Sequence, residues 1–167
     1  MTIDRQLEFD IVYMGMAECV SRLSYAQRSK VGCVIVTPEG QVISQGYNGT
    51  PSGMDNCCEI EEIVHDFDSE GYYGEYTKLV TKKEVLHAES NAITKCAKFG
   101  GSTNHSTIYV TLSPCYECAK LIIQAGIKRV VYKDIYRITD GLDLLTQAGI
   151  ICEQIDIENK KLIKYNK

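Results

Sequence analysis

Apolar residues recur at three- and four-residue intervals near the start of the chain, at Phe9, Val12, Met16, Cys19, Val20 and Leu23. That period predicts an amphipathic helix over about residues 4 to 24. The pattern then changes at 31–37, where Val31, Cys33, Val34, Ile35 and Val36 predict a buried strand. Pro38, Glu39 and Gly40 form a turn signal, and 41–46 reads as the second strand of a hairpin. From 47 to 85 no period is clear, and residues 55–84 carry nine acids against three lysines. A connection that long inside a compact domain is usually functional, so it is expected to frame or cover a site.

Regular patterning resumes with a helix over 87–99, ended by Gly100 and Gly101. A β-branched run at 107–112 predicts a strand. Ser113 suits an N-cap and Pro114 the first helical position. The stripe Cys118, Leu121, Ile122 and Ala125 continues that helix to Gly126. Residues 128–132 predict a strand, 139–148 a helix and 150–152 a short last strand. This alternation implies an α/β fold, with a mostly parallel sheet covered by helices. The opening hairpin makes the sheet mixed and brings the expected strands to five. No repeat or low-complexity segment divides the chain, so residues 1–167 read as a single domain.

Composition narrows the function. Apolar residues make up 44% and charged residues 24% of the 167 positions, as in ordinary soluble proteins. The net charge of −4 argues against a duplex-binding surface, which needs clustered Lys and Arg. No apolar run approaches the ~18 residues of a membrane span, and the first residues lack the apolar core of a secretory signal. A cytoplasmic protein without nucleic-acid or membrane partners is expected. In a reducing compartment, eight cysteines read as metal ligands or core residues rather than disulfides.

Two short motifs carry the chemistry. His87-Ala88-Glu89 is followed, after 27 residues from His87, by Pro114-Cys115-Tyr116-Glu117-Cys118. Three ligands, His87, Cys115 and Cys118, make a catalytic zinc site with an open fourth position rather than a closed structural one. Cys115 and Cys118, three apart at a helix start, share one face, and the helix N-terminus favours their thiolates. A lone C-x-x-C is often a redox fragment, and a lone H-x-E is common noise. Joined, with Pro114 in place, they form the H-x-E…P-C-x-x-C signature of zinc nucleobase deaminases. Glu89 shares a stripe with Ile93 and Cys96, where a carboxylate is costly unless it has a task. Its expected task is to take a proton from water, pass it to ring N3 and deliver one to the departing amine.

The segments Gly46-Tyr47-Asn48-Gly49-Thr50-Pro51-Ser52-Gly53, His87 to Ala92, Ser113 to Lys120 and Gln124 to Lys128 together closely resemble the deoxycytidylate (dCMP) deaminase branch of the cytidine deaminase superfamily. The likeness covers about residues 5 to 150. It implies a three-layer α/β/α cytidine-deaminase-like fold with a mixed five-stranded sheet. The activity it implies is hydrolysis of dCMP to dUMP and ammonia, supplying thymidylate synthesis, with zinc on His87, Cys115 and Cys118 and Glu89 as the catalytic proton shuttle. It further implies that Asn48 hydrogen-bonds the deoxyribose, while Gly49 lets the backbone approach closely. Many relatives are homohexamers activated by dCTP, bound with Mg2+, and inhibited by dTTP. Gly46, Tyr47, Asn48 and Gly49 belong to the segment associated with that effector site.

Other substrate contacts rest on weaker signals. Arg28 and Lys30, just before the first strand, are candidates for a phosphate. Tyr132 and Tyr136 are candidates for stacking on a base, and Ala88 and Ser113 flank the zinc residues as further contacts. Asn91 is expected to hold the helix start or a neighbouring subunit. Cys19, Cys33, Cys96 and Cys152 read as core, and His105 as exposed. Some viral relatives hold a second, structural zinc. Here Ala26 and Gln27 replace its first Cys pair and no His occupies 66–86, so Cys57, Cys58 and His65 are not expected to close such a site. Rival readings are a sister deaminase acting on free nucleosides, tRNA adenosine or a pterin-like ring, and a catalytically dead zinc module.

Overall fold

Strands buried on both faces place successive side chains in opposite layers, and the core of this protein divides that way. The computed structural model describes residues 3–67 and 73–166. Its elements are α1 (Ile3–Ser21), β1 (Gly32–Val36), β2 (Val42–Tyr47), β3 (Glu59–Phe67), β4 (Tyr73–Thr81), α2 (Ala88–Lys98), β5 (Thr107–Leu112), α3 (Tyr116–Gln124), β6 (Arg129–Asp134), α4 (Asp140–Gln147), β7 (Ile151–Asp156) and β8 (Lys161–Lys164). Cys33, Ile35, Ile108, Val110, Val130 and Tyr132 join Ala92, Ile122 and Leu142 in the layer of α2, α3 and α4. The alternate residues Val34, Val36, Tyr109 and Val131 pack with Tyr13, Met14, Ala17 and Val20 of α1. Each large aliphatic buried this way contributes about 1.5–3 kcal/mol. The result is the expected three-layer α/β/α arrangement.

The main sheet runs β2-β1-β5-β6-β7-β8. It has six strands, not five, because the short β8 pairs antiparallel with β7 from Glu153↔Lys164 to Asp156↔Lys161. Among the described strands, only β5–β6 and β6–β7 pair in parallel. β1 runs antiparallel to both β2 and β5, so the sheet is less parallel than the element order suggested. Within the connection 47–85, β3 and β4 form a separate two-stranded hairpin paired from Glu59↔Thr81 to Phe67↔Tyr73. No period marked it because its described side chains are mostly exposed on both faces.

Helix α1 corrects another expectation. The buried stripe is Asp10, Tyr13, Met14, Ala17 and Val20, whereas Val12, Met16 and Leu23 are about half exposed and Cys19 is exposed. The anticipated stripe is thus a second apolar ridge, and Cys19 is not core; Cys33, Cys96 and Cys152 are buried. Asp10 is fully buried at 0% exposure. Arg129 grips both its oxygens at 2.7 Å, and the Tyr109 hydroxyl donates to it at 2.6 Å. Burial pushes the Asp10 carboxyl up, but these bonds and the Arg129 charge win and hold it below its ordinary value. None of the described helices is long and apolar enough to cross a membrane.

Candidate active site

β1 is antiparallel to β5, so its N-terminal end lies beside the C-terminal end of β5. The turns after β5 and β6, the turn before β1 and the segment after β2 therefore meet at one edge of the sheet. Ser113 stitches two of these turns together. Its amide donates to the Asp134 carbonyl at 2.8 Å, and its hydroxyl accepts the Tyr136 amide at 2.8 Å. Ser113 is therefore not an N-cap. Pro114 completes the turn, Cys115 caps α3 in extended conformation, and the helix begins at Tyr116. His87 caps α2 in the same way, with φ −75° and ψ 159°. Standing outside the helix, it converges with Glu89, which a regular helical spacing of two would prevent.

The three expected ligands come together. His87 Nδ1 lies 3.4 Å from both Cys115 Sγ and Cys118 Sγ, and all three donor atoms fall within 4.8 Å of one another. A tetrahedral zinc with ordinary Zn–N and Zn–S bonds sets an N–S separation of about 3.6 Å. The donor set therefore fits a zinc ion in both chemistry and spacing. Among the described residues, no other such His, Cys, Asp and Glu group converges. The Cys57 thiol instead donates to the Glu59 carbonyl, Cys58 is buried, and His65 sits on the exposed hairpin against Tyr73 and Glu75.

The three donors set one another's charge. The Cys118 thiol hydrogen-bonds to Cys115 and, against burial and with help from His87, brings the Cys115 thiol down to about 3. Cys118 is pushed up in turn, by Cys115 and by burial. The His87 imidazole is raised, chiefly by its hydrogen bond to Cys115. Glu89 is only 3% exposed. Burial raises its carboxyl to about 7, partly opposed by its own backbone N–H and by His87. A carboxyl poised there both takes and gives protons near neutrality.

His87, Glu89 and Cys115 line a cavity of about 280 Å³, with Cys118 behind its wall. Arg28, Asn48, Ala88, Ser113 and Tyr136 line it as well. Asn48 is pinned: its Oδ1 accepts the Val31 amide and its Nδ2 donates to the Ser29 carbonyl, both at 2.8 Å. Gly46, Tyr47 and Gly49 lie outside the cavity wall. Gly46 packs directly on α2, the Tyr47 carbonyl accepts the Asn91 amide nitrogen at 2.9 Å, and Gly49 exchanges two backbone bonds with Leu86. Lys30 lines a separate groove with Arg22 and Lys133. Tyr132 is core at 1% exposure, and His105 is exposed.

Arg137 and Glu59 line the same cavity and escaped the reading of the sequence. Arg137 neighbours Tyr136, so extending that candidate by one residue would have found it. Glu59 and Thr81, at the two ends of the hairpin, form part of the wall, so the long connection frames the site as anticipated. A larger cavity of about 580 Å³ lies elsewhere, among Phe9, Tyr13, Pro38 and Arg129, and contains none of the candidate residues.

A buried carboxylate beside a His-Cys-Cys zinc cradle, in an α/β/α fold, defines the class of zinc-dependent deaminases. Comparison with known proteins gives the family. Residues 7–134 match the sequence model of the cytidine and deoxycytidylate deaminase zinc-binding region. The deoxycytidylate deaminase of Enterobacteria phage T4 is 37% identical over 92% of each chain. The human deoxycytidylate deaminase is 38% identical over 88% of this chain and 79% of its own. The dCMP deaminase of cyanophage S-TIM5, solved in complex with dCMP and dUMP, superposes with a TM-score of 0.76 at 40% identity, covering 93% of this chain and 99% of that one. The chain belongs to the cytidine and deoxycytidylate deaminase family, in its deoxycytidylate deaminase branch.

Proposed function

We propose that this chain, acting as one catalytic domain, hydrolyses dCMP to dUMP and ammonia and so supplies thymidylate synthesis. The observation that carries the reading is Glu89, buried and raised to about 7 beside the converging His87, Cys115 and Cys118 donors, where His87, Glu89 and Cys115 open on one cavity of about 280 Å³. The likeness to a phage enzyme solved with dCMP and dUMP supports the choice of substrate. A zinc ion held by His87 Nδ1 and the two sulfurs supplies Lewis acidity and lowers the pKa of water. Glu89 takes a proton from the attacking water and hands it to ring N3. It then takes the second proton from the hydroxyl now on C4 and delivers it to the amine, so that the C4–N bond breaks and ammonia leaves as C4=O forms. Ala88 and Ser113, both buried, form the wall against which the ring lies, with Tyr136 beside it. Asn48 meets the deoxyribose. Arg28 and Arg137 supply the positive charge that a 5′-phosphate needs.

We place regulation and assembly on the family likeness alone: dCTP with Mg2+ activates, dTTP inhibits, and the chain forms homohexamers. A cytoplasmic location suits its eight unpaired cysteines. The test is absorbance loss with dCMP against deoxycytidine, with and without dCTP and Mg2+. Turnover of dCMP well above that of deoxycytidine is expected, and no loss with either substrate overturns the assignment.

A further inference from the structure

Thr81 closes the β3–β4 hairpin opposite Glu59, and next to that pair the Lys82 amide donates to the Cys58 carbonyl at 2.9 Å. This hairpin base holds one residue of the turn before β1 at two points. Glu59 Oε1 accepts the Arg28 backbone N–H at 3.3 Å, and Thr81 Oγ1 accepts a bond from the Arg28 guanidinium Nη1 at 3.2 Å. Arg28 and Thr81 both line the candidate cavity. Building on the dCMP reading, we propose that Thr81 is a positioning residue for the substrate's 5′-phosphate: it directs the Arg28 guanidinium before the nucleotide arrives.

Both partners are exposed, so water competes for this bond and it adds little to stability. Its effect is on orientation. An untethered arginine carries rotamer entropy that must be given up on binding. No carboxylate among the described residues forms an ion pair with Arg28. A bond at Nη1 restricts the guanidinium and leaves its Nε–Nη2 edge for a bidentate contact with phosphate oxygens. Threonine suits the task because a neutral hydroxyl holds the cation without neutralising it, whereas a carboxylate would compete with the phosphate. Arg137, the other arginine of the cavity wall, is steadied differently. It lies over the Tyr136 ring at 5.6 Å, and the Tyr136 amide donates to Ser113 Oγ at 2.8 Å. Two arginines from separate turns are thus placed before substrate binds.

The test is a double-mutant cycle on kcat and KM for dCMP, using zinc-loaded wild type, Thr81→Val, Arg28→Ala and the double variant. Thr81→Val keeps the branched shape and removes the acceptor. It is expected to raise KM about two- to tenfold, the cost of ordering one long side chain on binding, with the change falling on KM rather than kcat. Thr81→Ser, which keeps the hydroxyl, is expected to restore KM. Arg28→Ala is expected to raise KM at least about tenfold, and adding Thr81→Val to it should change nothing further. A Thr81 that merely steadies the hairpin lowers kcat, or raises KM equally with and without Arg28, and either result overturns the proposal. So does a Thr81→Ser variant as impaired as Thr81→Val. A normal KM in Arg28→Ala overturns it without any change at Thr81, so misfolding of a Thr81 variant does not shelter it. Absence of dCMP turnover in the wild type removes the dCMP reading itself, and this inference with it.

Discussion

Gly46 links the fold to the chemistry, and replacing it with alanine gives a quantitative test. It lies buried in β2, paired with Cys33 on β1. A Cβ built on it falls 2.2 Å from the Ala88 carbonyl oxygen and 2.6 Å from the Ala92 amide nitrogen. Ordinary contact begins near 3.4 Å, so α2 must retreat by about 1.2 Å. Backbone cannot swing aside as a side-chain tip can, so overpacking here costs roughly 1–3 kcal/mol. For a chain of this size that lowers Tm by roughly 2–12 °C. Because α2 carries Glu89 and begins at His87, a displacement near 1 Å is expected to cost about 100-fold in turnover. The assay is thermal unfolding together with kcat at saturating dCMP. Wild-type Tm and kcat in Gly46→Ala would refute the reasoning. Intact basal turnover with a lost dCTP response would instead make Gly46 an effector residue, as the family resemblance implied.

Glu89→Gln preserves shape and removes the proton shuttle, so turnover is expected to fall by about 10²–10⁴ while metal analysis still finds zinc; undiminished turnover sinks the mechanism. Chelation should abolish activity and one equivalent of zinc per chain should restore it, whereas a requirement for two equivalents would mean a second metal site. Arg129→Met strips the ion partner from the fully buried Asp10 and is expected to cost about 3–5 kcal/mol in urea unfolding, and a loss below about 1 kcal/mol contradicts the packing argument. The folded pKa of Asp10 is lowered, so its stabilisation is complete above about pH 4, the unfolded value, and is lost as pH falls further. Urea midpoints between pH 6 and 2 should drop below that point, and Asp10→Asn should flatten the drop.

The zinc cradle was legible because helix geometry fixes it. Two cysteines three apart at a helix start share a face, and His87 and Glu89 need only a local change from extended to helical backbone. The buried ridge of α1 was not legible. Val12, Met16 and Leu23 carry as strong a helical period as Tyr13, Met14, Ala17 and Val20, and period alone does not say which ridge meets the sheet. A buried charge settles it, since Asp10 marks the inner face only once Arg129, 119 residues away, is known to reach it. The β3–β4 hairpin lacked a buried face, and β8 has only four residues, so neither left a period to read. Glu59 and Arg137 enter the cavity through tertiary approach, for which no local spacing stands.

The segment 46–49 shows why one motif can serve both architecture and function. Gly46 sets how closely β2 approaches α2, and Ser44 and Tyr47 tie β2 to that helix through Ala92 and Asn91. Asn48 fixes the turn that precedes β1, and Gly49 pairs with Leu86 immediately before His87. Every residue of the segment thus touches either the backbone around Glu89 or the turn that carries Arg28. An effector held by Gly46, Tyr47 and Gly49, as proposed for dCTP, would act on the position of α2, and substrate bound in the cavity would then bias that effector's affinity by the same factor. Measured dCTP affinity should therefore rise in the presence of a non-hydrolysable dCMP analogue by the factor that dCTP raises the analogue's own. Unequal factors would mean that the two ligands do not couple through one equilibrium of this chain.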